Sequence, residues 1–368
     1  MRTLLIVAAM FASIVAASSS TAAGAASADV DIVVLGGSNV VSSDVVGHLA
    51  VCTDGTVTRI AGSDRYATAA AVSRSAFESA SLVYLAVGTS FPEAGATGPI
   101  AALRGAPLLL TRTESLPADT RSEIQRLGAT QVIILGGTGA ISSSVENDLA
   151  ATYDVIRIAG TDRYSTVAAI SASHFKPGDV SVAYVATGDL FPDALAAGPA
   201  AVANDGPIPL TDPRTHPAAT AAELQRLAPA RIVILGGLAA VSSGVEQELR
   251  KFTSGSVSRL AGSNRFDTAA VISTTLPNSP QTIYLATGDN FPDALAGVPL
   301  TGTDPLLLVT QQMLPGQTAN RIAAITGRPC APLVPASGPG TPPPAPVQPP
   351  PGPATKPLQA GVLWSSDV

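Results

Sequence analysis

The chain has 368 residues, 46% of them hydrophobic and 13% charged, enough apolar material for two or three ordinary domains and too little charge for a disordered chain. A formal charge of −6 argues against generic nucleic-acid binding, and no basic stretch is present to hold an anionic membrane surface. With aromatics at 4% and Ala and Gly in surplus, helices and sheets are expected to pack closely through small side chains.

In chain order, Arg2 precedes an apolar run from Leu4 to Ala17 that is too short to span a bilayer, and small residues follow at Ala26-Ser27-Ala28. This pattern predicts a signal peptide over residues 1–28 and a mature start near Asp29, with Ala23-Gly24-Ala25 as a second cut site. Export is therefore expected. Cleavage removes one arginine and no acid, so 20 basic residues then face 27 acidic ones and the charge becomes −7. No later run is long and apolar enough for a membrane-spanning helix.

Next come a strand-like run ending in Gly36-Gly37, a helical stretch over 42–51, and the first of three landmark motifs. Arg59-Ile-Ala-Gly-Ser-Asp-Arg-Tyr66 returns as Arg157-Ile-Ala-Gly-Thr-Asp-Arg-Tyr164 and as Arg259-Leu-Ala-Gly-Ser-Asn-Arg-Phe266. A second motif, Gly-x-x-Phe-Pro-acid-Ala, starts at Gly88, Gly188 and Gly288, and Leu-Gly-Gly places its glycine pairs at 36/37, 136/137 and 236/237. A period near 100 is too long for a solenoid turn, so each copy is a small domain or most of one.

Within the second copy, apolar runs at 155–159, 182–187, 208–211 and 231–235 alternate with helical patterns at 165–175, 192–202, 218–227 and 243–252. Short continuous Val/Ile/Leu runs between helices predict a parallel sheet covered on both faces, an α/β fold. The third copy lacks its last strand and helix after the helical stretch at about 319–326, and the missing strand and helix match residues 30–51. The amino-terminal piece is thus expected to complete the third module, closing three modules into a pseudo-threefold ring. Cys52 and Cys330 fall at a helix end and a strand start on the same rim of that split module, which predicts a disulfide; two separate buried thiols are the alternative. The expected division is a leader at 1–28, the completing strand and helix at 29–55, modules at 56–153, 154–255 and 256–330, and a Pro-rich tail at 331–368 that favours extended polyproline II.

Polar residues collect after the strands, where doubly wound sheets bind ligands. Each has a structural reading too: Pro192 suits a first helical turn, Asp193 favours the positive helix end, Asp162 can pair with a neighbouring Arg to order its loop, and Phe191 and Tyr164 suit core or module contacts. Gly137-Thr-Gly139 imitates a dinucleotide loop, but the other copies carry Gly37-Ser-Asn39 and Gly237-Leu-Ala239. His48, His174 and His216 occupy different places in their copies, so no recurring metal cluster or acid–base pair is expected. No Gly-x-Ser-x-Gly elbow or Walker loop occurs. Exchange of Asp193 and Asp293 for Glu93 in the first copy points to binding rather than catalysis.

Taken together, these linked motifs resemble the cell wall-binding repeat 2 family over about residues 30–327. The resemblance implies three Rossmann-like or Toprim-like modules in a pseudo-trimer, expected here as a monomer. It further implies non-covalent anchoring of an exported surface protein to an anionic secondary polymer of a Gram-positive-type wall. In that family the Ile-Leu-Leu strand is implicated in polymer binding; its counterparts are Leu108, Leu109 and Leu110, then Ile208 and Leu210 interrupted by Pro209, then Leu306, Leu307 and Leu308. The motif arginines Arg65, Arg163 and Arg265 are candidates for phosphate or carboxylate contacts, since a guanidinium gives forked, charge-assisted hydrogen bonds. Asp193 and Asp293 join them on the rim, and Asn264 replaces the usual Asp. No cofactor is expected, with divalent cations as the alternative bridge between acidic protein and anionic polymer. A wall-glycan enzyme using Asp193 and Asp293, and an adhesin or structural protein, are the competing readings.

Overall fold

A computed structural model describes residues 29–335 except Asn278. The leader expected over 1–28 and nearly all of the Pro-rich tail lie outside the described residues.

The chain opens with β1 (Asp31–Leu35), α1 (Ser43–Leu49), β2 (Val57–Ile60) and α2 (Arg65–Ala76). It continues through β3 (Leu82–Val87), α3 (Pro92–Leu103), β4 (Leu108–Thr111), α4 (Ala118–Leu127), β5 (Gln131–Leu135), α5 (Ser143–Ala150), β6 (Asp154–Ile158) and α6 (Arg163–His174). The next stretch holds β7 (Val182–Thr187), α7 (Pro192–Ala196), α8 (Gly198–Ala203), β8 (Leu210–Thr211), α9 (Ala218–Leu227), β9 (Arg231–Leu235), α10 (Ser243–Leu249), β10 (Val257–Leu260) and α11 (Arg265–Ser273). Last come β11 (Thr282–Thr287), α12 (Pro292–Thr301), β12 (Leu306–Val309) and α13 (Gly316–Thr326). The expected alternation is present, with one helix broken: the predicted 192–202 helix divides at Ala197 into α7 and α8.

Three four-stranded parallel sheets result, ordered β12-β11-β1-β2, β4-β3-β5-β6 and β8-β7-β9-β10. The amino-terminal strand lies inside its sheet, with Val33 beside Tyr284 on one side and Thr58 on the other. The ring closes as the repeat arithmetic predicts, and the Cys52–Cys330 disulfide joins Cα atoms 4.7 Å apart across its seam. Beyond that bond, Thr326 donates to the Cys52 carbonyl, and His48 Nε2 lies 2.8 Å from the Ala331 carbonyl oxygen.

Sheets and sequence repeats are offset by one strand. The strand of each Arg-Ile-Ala-Gly motif pairs with the sheet before it: β2 with β1, β6 with β5, β10 with β9. Boundaries at 56, 154 and 256 therefore fall one strand early for the sheets. The helix that follows crosses over: α2 covers β4 and α4, α6 covers β8 and α9, and α11 covers β12 and α13. The physical reason is that strand pairing follows the register of backbone hydrogen bonds, which the repeat landmarks do not mark.

At the centre, α3, α7, α8 and α12 pack around the pseudo-threefold axis. Small residues allow the close approach: a Cβ on Gly98 would lie 2.8 Å from the Val298 side chain, and one on Gly198 would lie 2.6 Å from it. Phe91, Phe191 and Phe291 meet at the axis with ring centroids 5.8–6.1 Å apart. They are module contacts, as the structural reading of Phe191 expects.

Candidate rim site at the module junctions

The sheet order places a switch point between the first and third strands of each module, where loops diverge at the carboxyl ends. On one side runs the Phe-Pro-acid loop and on the other the Gly-Gly turn. The first glycine of each pair has positive φ, at 103°, 98° and 88° for Gly36, Gly136 and Gly236. A side chain on Gly36 or Gly236 would also collide with the carboxylate of Asp293 or Asp193, so two independent constraints demand glycine there.

The opening arginines of the repeats hold this turn. Arg59 donates to the carbonyls of Gly36 at 2.6 Å and Val41 at 2.7 Å; Arg157 donates to Gly136 at 2.7 Å and pairs with Glu146; Arg259 reaches Gly236, Val241 and Glu246. Sequence reasoning quoted these arginines without giving them a role. Their similar spacing from the glycine pairs, 23, 21 and 23 residues, was the available signal.

The second motif arginine stands at the amino end of the crossover helix. Its predecessor caps that helix: Asp64 Oδ1 accepts from Tyr66 N and Ala67 N at 2.9 Å, and Asn264 Oδ1 from Phe266 N and Asp267 N at 3.0 Å. Asp162 and Ser165 form a reciprocal capping box. Asp162 thus orders the chain by capping, where pairing with an arginine was expected, and Asn264 keeps the cap while dropping a charge.

Arg65, Arg163 and Arg265 each bridge two modules. Each donates from Nη1 to a carbonyl in the following module, to Gly88 at 2.5 Å, to Gly188 at 2.6 Å and to Gly288. Each also faces the buried acid of the preceding module: Arg65 faces Asp293, Arg163 faces Glu93 and Arg265 faces Asp193. Burial pushes all three carboxyls up, Asp193 to about 6, and the facing arginine opposes the shift. At the first junction a cleft of about 340 Å³ opens between Ser38, Asn39, Asp64, Arg65, Asn290 and Asp293. Arg65 and Arg265 are half-buried, Arg163 is exposed, and their remaining N–H groups have no protein acceptor among the described residues.

The Ile-Leu-Leu counterparts lie elsewhere. Leu108, Leu109, Leu110, Ile208, Leu210, Leu306, Leu307 and Leu308 are all at most 2% exposed, which removes them from any contact surface. Their strands are sheet edges, but the crossover helices cover them, so their side chains fill the core. Pro209 shortens β8 to two residues without exposing it. Asp193 and Asp293 belong to different modules, each set against its own glycine turn and its own arginine.

Three small α/β modules closed through shared crossover helices, with one arginine and one buried acid repeated at every junction, define a repeat protein built to present the same rim three times. The cell wall binding domain 2 family matches the chain over residues 59–146, 157–246 and 259–331, and the chain belongs to that family. It is 34% identical over 248 residues to the N-acetylmuramoyl-L-alanine amidase LytC of Bacillus subtilis (strain 168), covering 67% of this chain and 48% of that protein. It is 30% identical over 285 residues to the amidase enhancer of the same organism, covering 76% and 39%. The chain thus spans half or less of the length of these curated relatives. Among solved structures, Cwp8 from Clostridium difficile superposes with a TM-score of 0.66 at 27% identity, covering 73% of this chain and 47% of that one. Cwp6 from the same organism gives 0.66 at 24%, covering 71% and 43%, a likeness of fold.

Proposed function

We propose that this chain is an exported protein that holds itself to the cell wall by binding an anionic wall polymer at its three module junctions. The supporting observation is the threefold recurrence of Arg65, Arg163 and Arg265. Each is fixed through one N–H, and each keeps the rest of its fork free on the rim where parallel sheets take ligands. Local arginines reconcile binding of an anion with an acidic chain. Three weak sites on one rigid monomer add through effective concentration along a repeating ligand.

Purified Gram-positive walls test this, before and after acid extraction of their anionic polymers and with and without chelator. Retention that is lost on extraction, insensitive to chelator and weakened by Arg163→Gln is the expected result. Chelator sensitivity would replace direct arginine contact with cation bridging. Undiminished binding to extracted walls would refute the anionic ligand.

A further inference from the structure

Among the differences between the three rims, one forms a cleft of its own. In the second module a cleft of about 410 Å³ opens at the switch point, lined by Asp189, Asp212, Pro213, Arg214, Leu238, Ala239 and Ser242. Leu238 is 64% exposed, and Leu190, beside Asp189, is 47% exposed. These leucines leave apolar surface open to solvent beside the cleft.

Register with the other copies shows that the combination occurs once. Ser42 N, Ser142 N and Ser242 N donate to the carbonyls of Gln311, Thr113 and Pro213, which aligns the three loops. Asp212 then corresponds to Arg112 and Thr310, Pro213 to Thr113 and Gln311, Arg214 to Glu114 and Gln312. Leu238 corresponds to Ser38 and Thr138, and Leu190 to Ser90 and Asn290. Two carboxylates with an apolar wall therefore stand together only here. The loop is also built. Asp212 Oδ1 accepts from Arg214 N and Thr215 N at 2.9 Å, which fixes one carboxylate oxygen and the position of Arg214. Asp189 lies 3.9 Å from Arg163.

Carboxylates accept hydroxyl hydrogen bonds, and a leucine–proline wall matches the C–H face of a pyranose ring. A polyol phosphate offers the hydroxyls and an anion but no such face. We propose that this cleft is a sugar-binding subsite, taking a neutral or N-acetylated hexose unit of the wall polymer, and that it adjoins the junction arginine Arg163 through Asp189. The ring lies on Leu238 and Pro213, with Leu190 at the margin, and its hydroxyls donate to Asp189 and Asp212. The inference rests on the wall-polymer reading for its biological ligand, but its chemistry is tested apart from it.

The test is amide chemical-shift mapping of the intact protein with a neutral N-acetylglucosamine trisaccharide, and in parallel with a glycerol phosphate oligomer. The expected result is saturable shifts at Asp189, Arg214 and Leu238 with the trisaccharide, at about millimolar concentration. Leu238→Ser, which installs the residue the split module carries at an exposed position, weakens that binding about tenfold. No shifts in the cleft with the trisaccharide, equal affinity in Leu238→Ser, or the same cleft shifts with glycerol phosphate overturns the proposal. Loss of wall retention on removing the arginines, with trisaccharide binding intact, would leave both readings standing. Trisaccharide binding without any retention of anionic polymer would refute only the anchoring one.

Discussion

Exchanging the bulk at the pseudo-threefold axis tests whether the three modules are held by close packing there. Val298 is fully buried, and its Cβ and Cγ1 would lie 2.8 Å from a Cβ placed on Gly98, inside the contact distance that real side chains tolerate. Gly98→Ala is favoured by helix propensity by about 1 kcal/mol, yet the overpacking costs about 1–3 kcal/mol, so the single variant is expected to be neutral or less stable. Val298→Ala removes two buried methyl groups and costs about 1–3 kcal/mol. In the Val298→Ala background the Cγ1 and Cγ2 contacts are gone while the Cβ stays at 2.8 Å, so Gly98→Ala should cost less there than in the parent. The double-mutant cycle is thus expected to show coupling of about 1 kcal/mol in favour of the pair, read from urea unfolding midpoints at matched slopes. Equal effects of Gly98→Ala in both backgrounds would refute the argument that Val298 occupies the space those glycines vacate.

The buried rim acid gives a pH signature. Asp193 is raised to about 6 from an ordinary value of 3.8, so its protonated form is favoured by folding, and stability present at low pH is lost as pH rises through 6, by about 3 kcal/mol at most. Asp193→Asn should therefore be more stable than the parent at pH 7 and equal to it near pH 4; melting curves across that range that stay parallel would contradict this. His216 occupies the position of Leu116 and Leu314, and its two ring nitrogens are buried with no hydrogen-bond partner among the described residues. Burial holds its pKa below 6.5, so its stability is full above that pH and falls as the solution is acidified; His216→Leu should stabilise by about 1–3 kcal/mol and flatten the slope below pH 6.5. Cys52→Ser with Cys330→Ser opens a loop of 278 residues, with a loss of up to about 5 kcal/mol in the chain-entropy account, seen as a lower melting temperature and unaltered far-UV circular dichroism at 25 °C. A melting temperature unchanged by the double serine variant would show that the paired strands alone hold the seam.

Much of this fold was legible because its signals are local and repeated. Val182–Thr187, Ala218–Leu227 and Arg231–Leu235 begin and end where the apolar runs and helical patterns do. The closure and the disulfide followed from register alone. Sheet membership of β2, β6 and β10 was not legible, because a short apolar strand carries no mark of which neighbour it will bond. The covering of the Leu108–Leu110 strand and its counterparts by crossover helices was not legible either, because an apolar run does not show which helix will pack on it. For the rim, the recurrence of Arg65, Arg163 and Arg265 marked residues that the fold sets at equivalent places on the three junctions. Their bond to a glycine one module onward depends on the crossover and could not be read from spacing. Val298 among glycines, and Leu238 among polar residues, were visible as departures from the repeat and meant little without their neighbours.

The offset between strand and helix carries one more consequence. Since every junction is crossed by the same link and the seam lies inside one module, where two chain segments complete a single sheet, the cycle has no privileged start. A circularly permuted chain, with residues 29 and 335 joined by a linker and new ends placed between α5 and β6, should fold to the same ring. The position of the ends within the cycle would then be an accident of gene order, and each module would be an arc with no independent existence as a domain.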